Sequence, residues 1–195
     1  MKTVYLERSS GGGRNGSWVN ELDLEDVTRI VVGTGPGSFA GIRSAIAFAC
    51  GFSLGRDCEV LGLPSACALV GTYRAGGSAA YGSLAVVGDA RQGKRWLALF
   101  DGYAMAREVF QVDEAALAEA VPAACGVLSP DDARIGESLR TLFGARYLGG
   151  MLPTEEGLRR FAEANPSLLK PEPLPIYLNP AVRSGEPDRP SGKSA

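Results

Sequence analysis

The chain has 195 residues, of which 45% are hydrophobic and 22% are charged, a composition typical of one globular domain or of two small lobes that share a core. It contains no histidine, which excludes histidine-based nucleophile systems, imidazole general bases and helical His-Glu-x-x-His zinc sites. The formal net charge of −2 offers no overall basic surface for nucleic acid. Any catalysis would depend on carboxylate, lysine, serine or backbone groups.

The four cysteines form no Cys-x-x-Cys pair, and without histidine they make a poor zinc set. We therefore expect free thiols in a reducing compartment, with no bound metal and no cofactor. The first eight residues are too few and too charged for a secretory signal, and no apolar run approaches the ~20 residues that a membrane span needs. These features predict a cytoplasmic protein without membrane association. The cysteines are Cys50, Cys58, Cys67 and Cys125.

The first third of the chain reads as strand, loop, strand, glycine loop, helix, strand and helix. Alternation predicts the first strand, and a β-branched run predicts the second. A helix candidate of a few residues lies between them, after a glycine-rich loop. Apolar residues at helical spacing predict the first long helix. The predicted elements are strand 2–7, loop 9–16, helix 17–22, strand 27–32, glycine loop 33–41, helix 42–54, strand 60–63 and helix 64–73.

A looser stretch at residues 75–78 is the candidate boundary between two lobes. Three apolar strands joined by tight turns follow it and predict an antiparallel meander, after which helices alternate with strands. We predict an α/β fold with an N-terminal lobe at 1–75, a C-terminal lobe at 76–178 and a flexible polar tail at 179–195. The later elements are strands 84–88, 95–100 and 105–111, helix 114–120, strand 126–128, helix 131–143, strand 146–148 and a helix capped by Thr154 that ends near 164.

The glycine loop admits three interpretations. A loop between a strand and a helix can cradle an anion, because glycines let the backbone approach it and the helix N-terminus supplies N–H groups. The spacing Gly35-x-Gly37-x-x-Ala40 also matches a dinucleotide fingerprint, but the acid expected about 20 residues on, Asp57, precedes the next strand instead of ending it. A tight turn that needs glycine is the third interpretation. The candidate anion-binding residues are Gly35, Gly37, Ser38 and Arg43.

The helix that follows the loop has two apolar stripes. One stripe would dock the helix on its sheet. The second must be covered either inside the domain or by another protein, and its small residues would let a partner helix approach closely. We keep both alternatives and name the second stripe as a candidate partner interface. Its residues are Ser44, Ala47, Phe48, Gly51 and Phe52.

Two further acidic features have a functional and a structural interpretation. Asp89 and Arg91 stand at a hairpin apex and could clamp an anion, although such residues more often cap the turn. The pairs Asp131-Asp132 and Glu155-Glu156 each open a predicted helix. Negative charge there complements the helix dipole, so we interpret both pairs as caps and not as paired catalytic carboxylates.

The segment Gly33-Thr34-Gly35-Pro36-Gly37-Ser38-Phe39-Ala40-Gly41-Ile42-Arg43 closely resembles the Gly-x-Gly-Pro-Gly-Ser-Phe-Thr-Gly-x-Arg signature of the TsaB (YeaZ) family, formerly called glycoprotease-like. Three weaker matches follow in the family's order and extend the resemblance to Leu178. They are Pro64-Ser65-Ala66-Cys67-Ala68, Val86-Val87-Gly88-Asp89-Ala90-Arg91-Gln92-Gly93 and Pro175-Ile176-Tyr177-Leu178.

The resemblance implies an actin-like, RNase-H-like fold of two related lobes and a non-catalytic role in forming threonylcarbamoyladenosine on tRNA. In that family the chemistry belongs to a TsaD catalytic subunit that binds metal through histidines, with an ATPase subunit and tRNA joining the complex. Family members contact the catalytic subunit through helices of the N-terminal lobe, and a homodimer is the alternative use of that surface. A nucleotide- or dinucleotide-binding protein that uses the glycine loop remains the alternative function.

The N-terminus departs from the family pattern. Family members open with a strand that carries an Asp-Thr-Ser-like turn and with a second strand, before a third strand and a long helix. Residues 3–7 resemble the third strand, and a glycine-rich loop replaces the long helix. We therefore expect an N-terminal lobe that is either truncated or a divergent short form; in both cases it lacks the phosphate-binding turn and has an unpaired sheet edge.

Overall fold

Two β-sheets with helices between them and on both outer faces form the protein. The computed structural model describes residues 2–10, 17–77 and 80–178. Their elements in chain order are β1 (Lys2–Leu6), β2 (Val27–Gly33), α1 (Phe39–Ser53), β3 (Glu59–Leu63), α2 (Ser65–Ala75), β4 (Ser83–Arg91), β5 (Lys94–Asp101), β6 (Ala104–Asp113), α3 (Leu117–Ala120), β7 (Gly126–Ser129), α4 (Asp132–Phe143), β8 (Tyr147–Gly150), α5 (Glu155–Ala164) and β9 (Lys170–Pro171).

The first sheet has the order β1-β2-β3-β9, and the second has the order β6-β5-β4-β7-β8. Strands β1, β2 and β3 are parallel, and the two-residue β9 runs antiparallel to β3. In the second sheet β4, β5 and β6 form the predicted antiparallel meander, whereas β7 and β8 add in parallel. Parallel pairing requires crossover helices, and these cover both faces of each sheet.

Three apolar clusters hold the layers together. Helices α2 and α5 pack between the two sheets, where Leu69 of α2, Val86 of β4 and Phe161 of α5 are fully buried. Helix α1 covers the outer face of the first sheet through Ala45 and Ala49. Helices α3 and α4 cover the outer face of the second sheet. This order of helix, sheet, two helices, sheet and helices is an α/β fold of the actin-like type.

Helices α1 and α5 begin where their sequences supply side-chain caps. Ser38 Oγ accepts from the Gly41 amide at the start of α1, and Thr154 Oγ1 accepts from the Gly157 amide at the start of α5. The predicted helix at 114–120 differs: it is a 3-10 turn, Glu114–Ala116, followed by the single turn of α3. It ends at Ala120, as predicted, because Pro122 disfavours helix at the residue before it. The short helix near residue 17 is likewise 3-10, Ser17–Glu21.

Strand β1 lies at one edge of the first sheet in the described part of the chain, in agreement with the expected unpaired sheet edge. It pairs in parallel directly with β2, the strand that enters the glycine loop, with Val4 opposite Ile30 and Leu6 opposite Val32. A turn at residues 7–10 therefore leaves the sheet beside the glycine loop. The lobe boundaries remain a prediction; Ser78 of the boundary and the tail at 179–195 lie outside the described residues.

Candidate functional site

The turn after β1 and the glycine loop after β2 lie against each other. The two strands are parallel, so residues 7–10 and 33–38 leave the same edge of the sheet. The Ser38 amide donates to the Ser9 carbonyl at 2.6 Å. A Cβ atom on Gly37 would overlap that carbonyl oxygen, and one on Gly41 would overlap the carbonyl oxygen of Arg8. The glycines thus let the two backbones touch.

Most amides that an anion cradle would use already have acceptors within the protein. The Thr34 amide donates to the Leu63 carbonyl (2.9 Å), and the Gly35 amide donates to Ser65 Oγ (2.9 Å). The Ser38 amide is engaged by the Ser9 carbonyl. Gly35 is buried with a φ of +95°, a left-handed conformation that suits glycine. These contacts favour the tight-turn interpretation of the loop over the phosphate cradle.

The four candidate anion-binding residues do not converge on one point. Gly35 is buried, Gly37 is exposed and Ser38 is half-buried. The Arg43 guanidinium is exposed and lies 4.8 Å from the centre of the Phe39 ring. Ser38 Oγ is engaged as the cap of α1 through the Gly41 amide (3.3 Å). The structure therefore gives these residues structural partners, and an anion-binding role for them stays a prediction.

Glu7 is a buried carboxylate that the sequence analysis did not single out. It is 4% exposed, and its Oε1 accepts from the Ser9 amide (2.8 Å) and from Ser65 Oγ (3.1 Å). Its Oε2 has no hydrogen-bond partner among the described residues. Burial raises the pKa of this carboxyl, and the hydrogen bonds from Ser9 and Ser65 oppose the rise. The sequence did contain a signal for this site: Glu7 ends the predicted first strand, and two serines, Ser9 and Ser10, follow shortly after it.

Replacing this carboxyl should change how stability depends on pH. The pKa of Glu7 is raised in the folded protein, so the folded state binds the extra proton and wild-type stability falls as the pH rises above the ordinary value of 4.5. Glu7→Gln removes that proton equilibrium but keeps the Oε1 acceptor. We expect the free energy of unfolding of Glu7→Gln to increase relative to that of the wild type as the pH rises from acid to neutral. Urea unfolding at several pH values measures this.

The ionisable groups that face Glu7 are Glu155 and Cys67, and Glu155 is paired with Arg8 at 2.8 Å. Both remain in the Glu7→Gln variant, so their contribution cancels in the comparison. The control is Glu137→Gln, the same change at an exposed position of α4. Parallel pH curves for Glu7→Gln and the wild type would contradict the role assigned to the buried carboxyl.

A cavity of about 580 Å³ opens beside the turn and the loop, between the ends of the two sheets. Ser9, Ser38 and Ile42 line one wall, and Asp89 and Arg91 line the opposite wall. Further lining residues come from α2, β5, α4, the loop after β8 and the C-terminal segment; they include Ser65, Leu69, Trp96, Arg134, Leu152 and residues 175–178. The volume is in the range of small-molecule pockets, and both walls carry polar groups.

Asp89 is the centre of an ion-pair network on this second wall. Its carboxylate lies 3.5 Å from Arg91 Nη1, 3.6 Å from Arg95 Nη1 and 3.5 Å from Arg134 Nη1. It also accepts from the Arg91 amide (2.9 Å), which is the turn cap that its position indicated. Arg95 is held further by Glu114 at 2.6 Å. The hairpin apex is thus fixed to α4, and the guanidiniums of Arg91 and Arg134 remain half exposed.

The acidic pairs at the helix starts have different partners from those expected. Asp131 precedes α4 but makes no side-chain cap; its Oδ2 accepts from the Asp89 amide at 2.9 Å. Asp132 instead accepts from the Tyr147 hydroxyl at 2.6 Å. Glu155 and Glu156 do lie in the first turn of α5, where Thr154 supplies the cap. Capping by the Asp131 side chain is therefore wrong, while dipole complementation agrees with the geometry at α4, where Asp132 lies in the first turn, and at α5.

Among the described residues no group of three or more acidic, cysteine or histidine side chains is arranged to hold a metal ion. Cys67 and Cys125 are buried, whereas Cys50 is exposed and Cys58 is half-buried, and all four are free thiols. No helix in the part of the chain that the structure describes is both long and apolar enough to cross a membrane.

The candidate interface on α1 divides into an exposed stripe and a supporting flank. Ser44, Ala47 and Gly51 are exposed, and Leu54, 77% exposed, extends the stripe beyond the helix. Phe48 and Phe52 are half-buried beside it. Phe48 packs edge-on against Trp18 at 5.3 Å between ring centres and stacks on Phe52 at 6.1 Å. The aromatic residues therefore hold the helix in place, and the small residues face outward.

Solved structures share this fold. "YeaZ from Pseudomonas aeruginosa" superposes with a TM-score of 0.67 at 19% identity, covering 90% of this chain and 99% of that one. A structure titled "an uncharacterized protein with similarity to peptidase YEAZ from Pseudomonas aeruginosa" gives a TM-score of 0.62 at 20% identity, covering 85% of this chain and 80% of that one. The comparison with curated proteins gives no match.

A family model also matches. Residues 19–123, more than half of the chain, match the model described as "TsaD: tRNA N6-adenosine threonylcarbamoyltransferase". The matched range contains the glycine loop, the candidate interface on α1 and the Asp89 hairpin. The fold and the family resemblance inferred from the glycine-loop signature are thereby confirmed. The chain belongs to the TsaD family, and its fold is shared with the YeaZ structures.

Proposed function

We propose that the protein is a non-catalytic scaffold subunit of the cytoplasmic complex that forms threonylcarbamoyladenosine on tRNA, and that it binds and supports a TsaD-like catalytic subunit. The observation that carries the proposal is the exposed stripe of Ser44, Ala47 and Gly51 on α1, in a protein of a tRNA-modification family. Small side chains on a helix leave a shallow groove, which lets a partner helix approach closely and bury a large contact area.

The aromatic flank makes this surface suitable for docking. Trp18, Phe48 and Phe52 form one packed row along the side of α1, and the Arg56 guanidinium lies 4.5 Å from the centre of the Phe52 ring. A helix that is fixed by such contacts loses little conformational freedom on binding, and preorganisation of this kind lowers the cost of association. The ATPase subunit and the tRNA would then join through the complex, not through this surface.

The residues present do not support metal-dependent chemistry by this chain. The family resemblance places histidine ligands in the catalytic subunit, and this sequence contains no histidine. The described acidic and cysteine side chains form no ligand cluster. We therefore assign the transfer reaction to the partner and no chemical step to this chain.

Arginine on the stripe should abolish partner binding without unfolding the protein. No atom lies within 4 Å of a Cβ placed on Gly51, and Ala47 is exposed, so Gly51→Arg and Ala47→Arg add bulk only on the outside. Each should weaken binding to the TsaD-like catalytic subunit by roughly 100-fold, because a long charged side chain blocks close helix packing. Titration calorimetry with the purified catalytic subunit measures the dissociation constant.

Ala164→Arg is the matched control, since Ala164 is an exposed residue at the end of α5. It should bind like the wild type. Retained binding by Ala47→Arg and Gly51→Arg would reject the interface. If instead the wild type forms a dimer in solution that both variants dissociate, and it does not bind the catalytic subunit, the surface serves a second copy of the chain.

Nucleotide or dinucleotide binding is the second candidate, favoured by the cavity of about 580 Å³ beside the glycine loop. The amides of Gly35 and Ser38 already donate within the protein, which argues against their holding a phosphate. Calorimetry against ATP, ADP and NAD decides between the candidates. Micromolar binding that is lost in Gly37→Val would promote the second candidate.

A further inference from the structure

We propose that residues 173–178, the strap, form a gate that holds the two sheets together and controls access to the cavity between them. The strap begins two residues after β9 and crosses from the first sheet to the second. It contains the Pro175-Ile176-Tyr177-Leu178 motif. The proposed scaffold role does not use this motif, and neither do the interpretations of the glycine loop.

The strap is tied to the first sheet at its beginning. The Ile176 amide donates to the Thr34 carbonyl, inside the glycine loop, at 2.9 Å. Pro173 lies over Gly62 of β3, where a Cβ atom would come within 2.9 Å of the proline ring. Just before the strap, Lys170 and Pro171 pair antiparallel with β3. The first half of the strap is therefore an extension of the sheet that carries the loop.

The end of the strap is tied to the second sheet. Gln111 of β6 donates from Nε2 to the Leu178 carbonyl at 2.6 Å. Between the two anchors, the Tyr177 ring lies 5.8 Å from the Phe39 ring at the start of α1. Residues 175–178 contribute to the lining of the cavity, together with Trp96 and the Asp89 hairpin on the other wall. The strap thus forms one side of the cavity and joins both of its walls.

The strap is built so that it can release as a unit. Prolines at 173 and 175 restrict its backbone in both the bound and the released state, so the released segment stays stiff and moves as one piece. Leu174 and Tyr177 are 77% and 57% exposed, so the apolar contacts that resist opening come mainly from Pro173, which is buried, and from Ile176 and Leu178, which are half-buried. Segments with few buried contacts open more readily than the sheets they cross. Loss of the Gln111 anchor should free the end of the strap and widen the cavity.

The fluorescence of Trp96 can report whether the cavity is open to small solutes. Trp96 lines the cavity, is 3% exposed, and is one of only two tryptophans in the sequence. Trp18→Phe removes the other, which lies on the outer face of the first sheet. In that background Gln111→Glu replaces the donor with a carboxylate of the same shape, which repels the Leu178 carbonyl. We expect acrylamide quenching of the Trp96 fluorescence to increase roughly three-fold. Hydrogen exchange at the Ile176 amide should also become faster.

Gln92→Glu is the matched control: it makes the same chemical change at the exposed hairpin apex, where no quenching change is expected. Unchanged quenching in Gln111→Glu would overturn the proposal. Increased quenching accompanied by faster exchange throughout β4 and β5 would also overturn it, because the second sheet itself would then be unfolding. Increased quenching with β4 and β5 still protected supports the gate.

Discussion

Gly71→Ala is expected to destabilise the protein by about 2–3 kcal/mol, although alanine is the better helix former. Gly71 lies in the middle of α2, where that helix crosses α5. A Cβ atom on Gly71 would overlap the Gly157 carbonyl oxygen, and one on Gly157 would overlap the Ala68 carbonyl oxygen. The obstacle on both sides is backbone, which cannot rotate away as a side chain can. The two helices must therefore separate, and with them the two sheets.

The matched control for this change has the opposite expected sign. Gly51→Ala is the same substitution in the interior of α1, and no atom lies within 4 Å of the added Cβ. It should raise the free energy of unfolding by about 0.5–1 kcal/mol, because alanine restricts the unfolded chain and favours helix. Urea unfolding of both variants gives the comparison. Equal effects of the two changes would contradict close packing of α2 on α5.

Phe161→Ala should cost about 3–5 kcal/mol of stability, the largest loss that we expect from a single truncation. Phe161 of α5 is fully buried in the cluster between the sheets. Its ring packs edge-on against Phe100 at 5.8 Å and lies 5.7 Å from the Tyr103 ring. Removing it leaves a cavity that the flanking sheets cannot fill without moving. Thermal and urea unfolding measure the loss.

Phe39→Ala is the matched control, because Phe39 is 58% exposed. Its free energy of unfolding should change by no more than about 0.5 kcal/mol. A loss below about 1 kcal/mol for Phe161→Ala would mean that the cluster between the sheets is not the main support of the fold. A clear loss for Phe39→Ala would show that its contact with the strap matters for global stability, and not only for the gate.

The sequence predicted most of the elements because their signals are local. The β-branched run before Gly33 could form only a buried strand, and the tight turns around Asp101 and Gly102 predicted the meander. The glycine-loop signature predicted the family. Zero histidines had already excluded imidazole chemistry, and this remains the strongest statement about function that composition alone provides.

Tertiary structure decided the points that depend on residues distant in sequence. Periodicity placed Phe48 and Phe52 on a surface stripe, but Trp18, thirty residues upstream of Phe48, covers part of that stripe. Asp131 looked like a helix cap, yet its carboxylate accepts from the Asp89 amide, 42 residues away. Neither partner can be inferred from local pattern, because the crossovers of a parallel sheet bring them together.

The glycine loop shows both sides of this division. The sequence determined that residues 33–41 need glycine between a strand and a helix, and it left open whether an anion or the protein itself approaches the backbone. The fold placed Arg8 and Ser9 against Gly41 and Gly37, so the protein's own turn occupies that space. The sequence thus determined the family and the absence of imidazole. Tertiary packing decided which backbone segment lies against the glycines and which face of α1 is exposed to solvent.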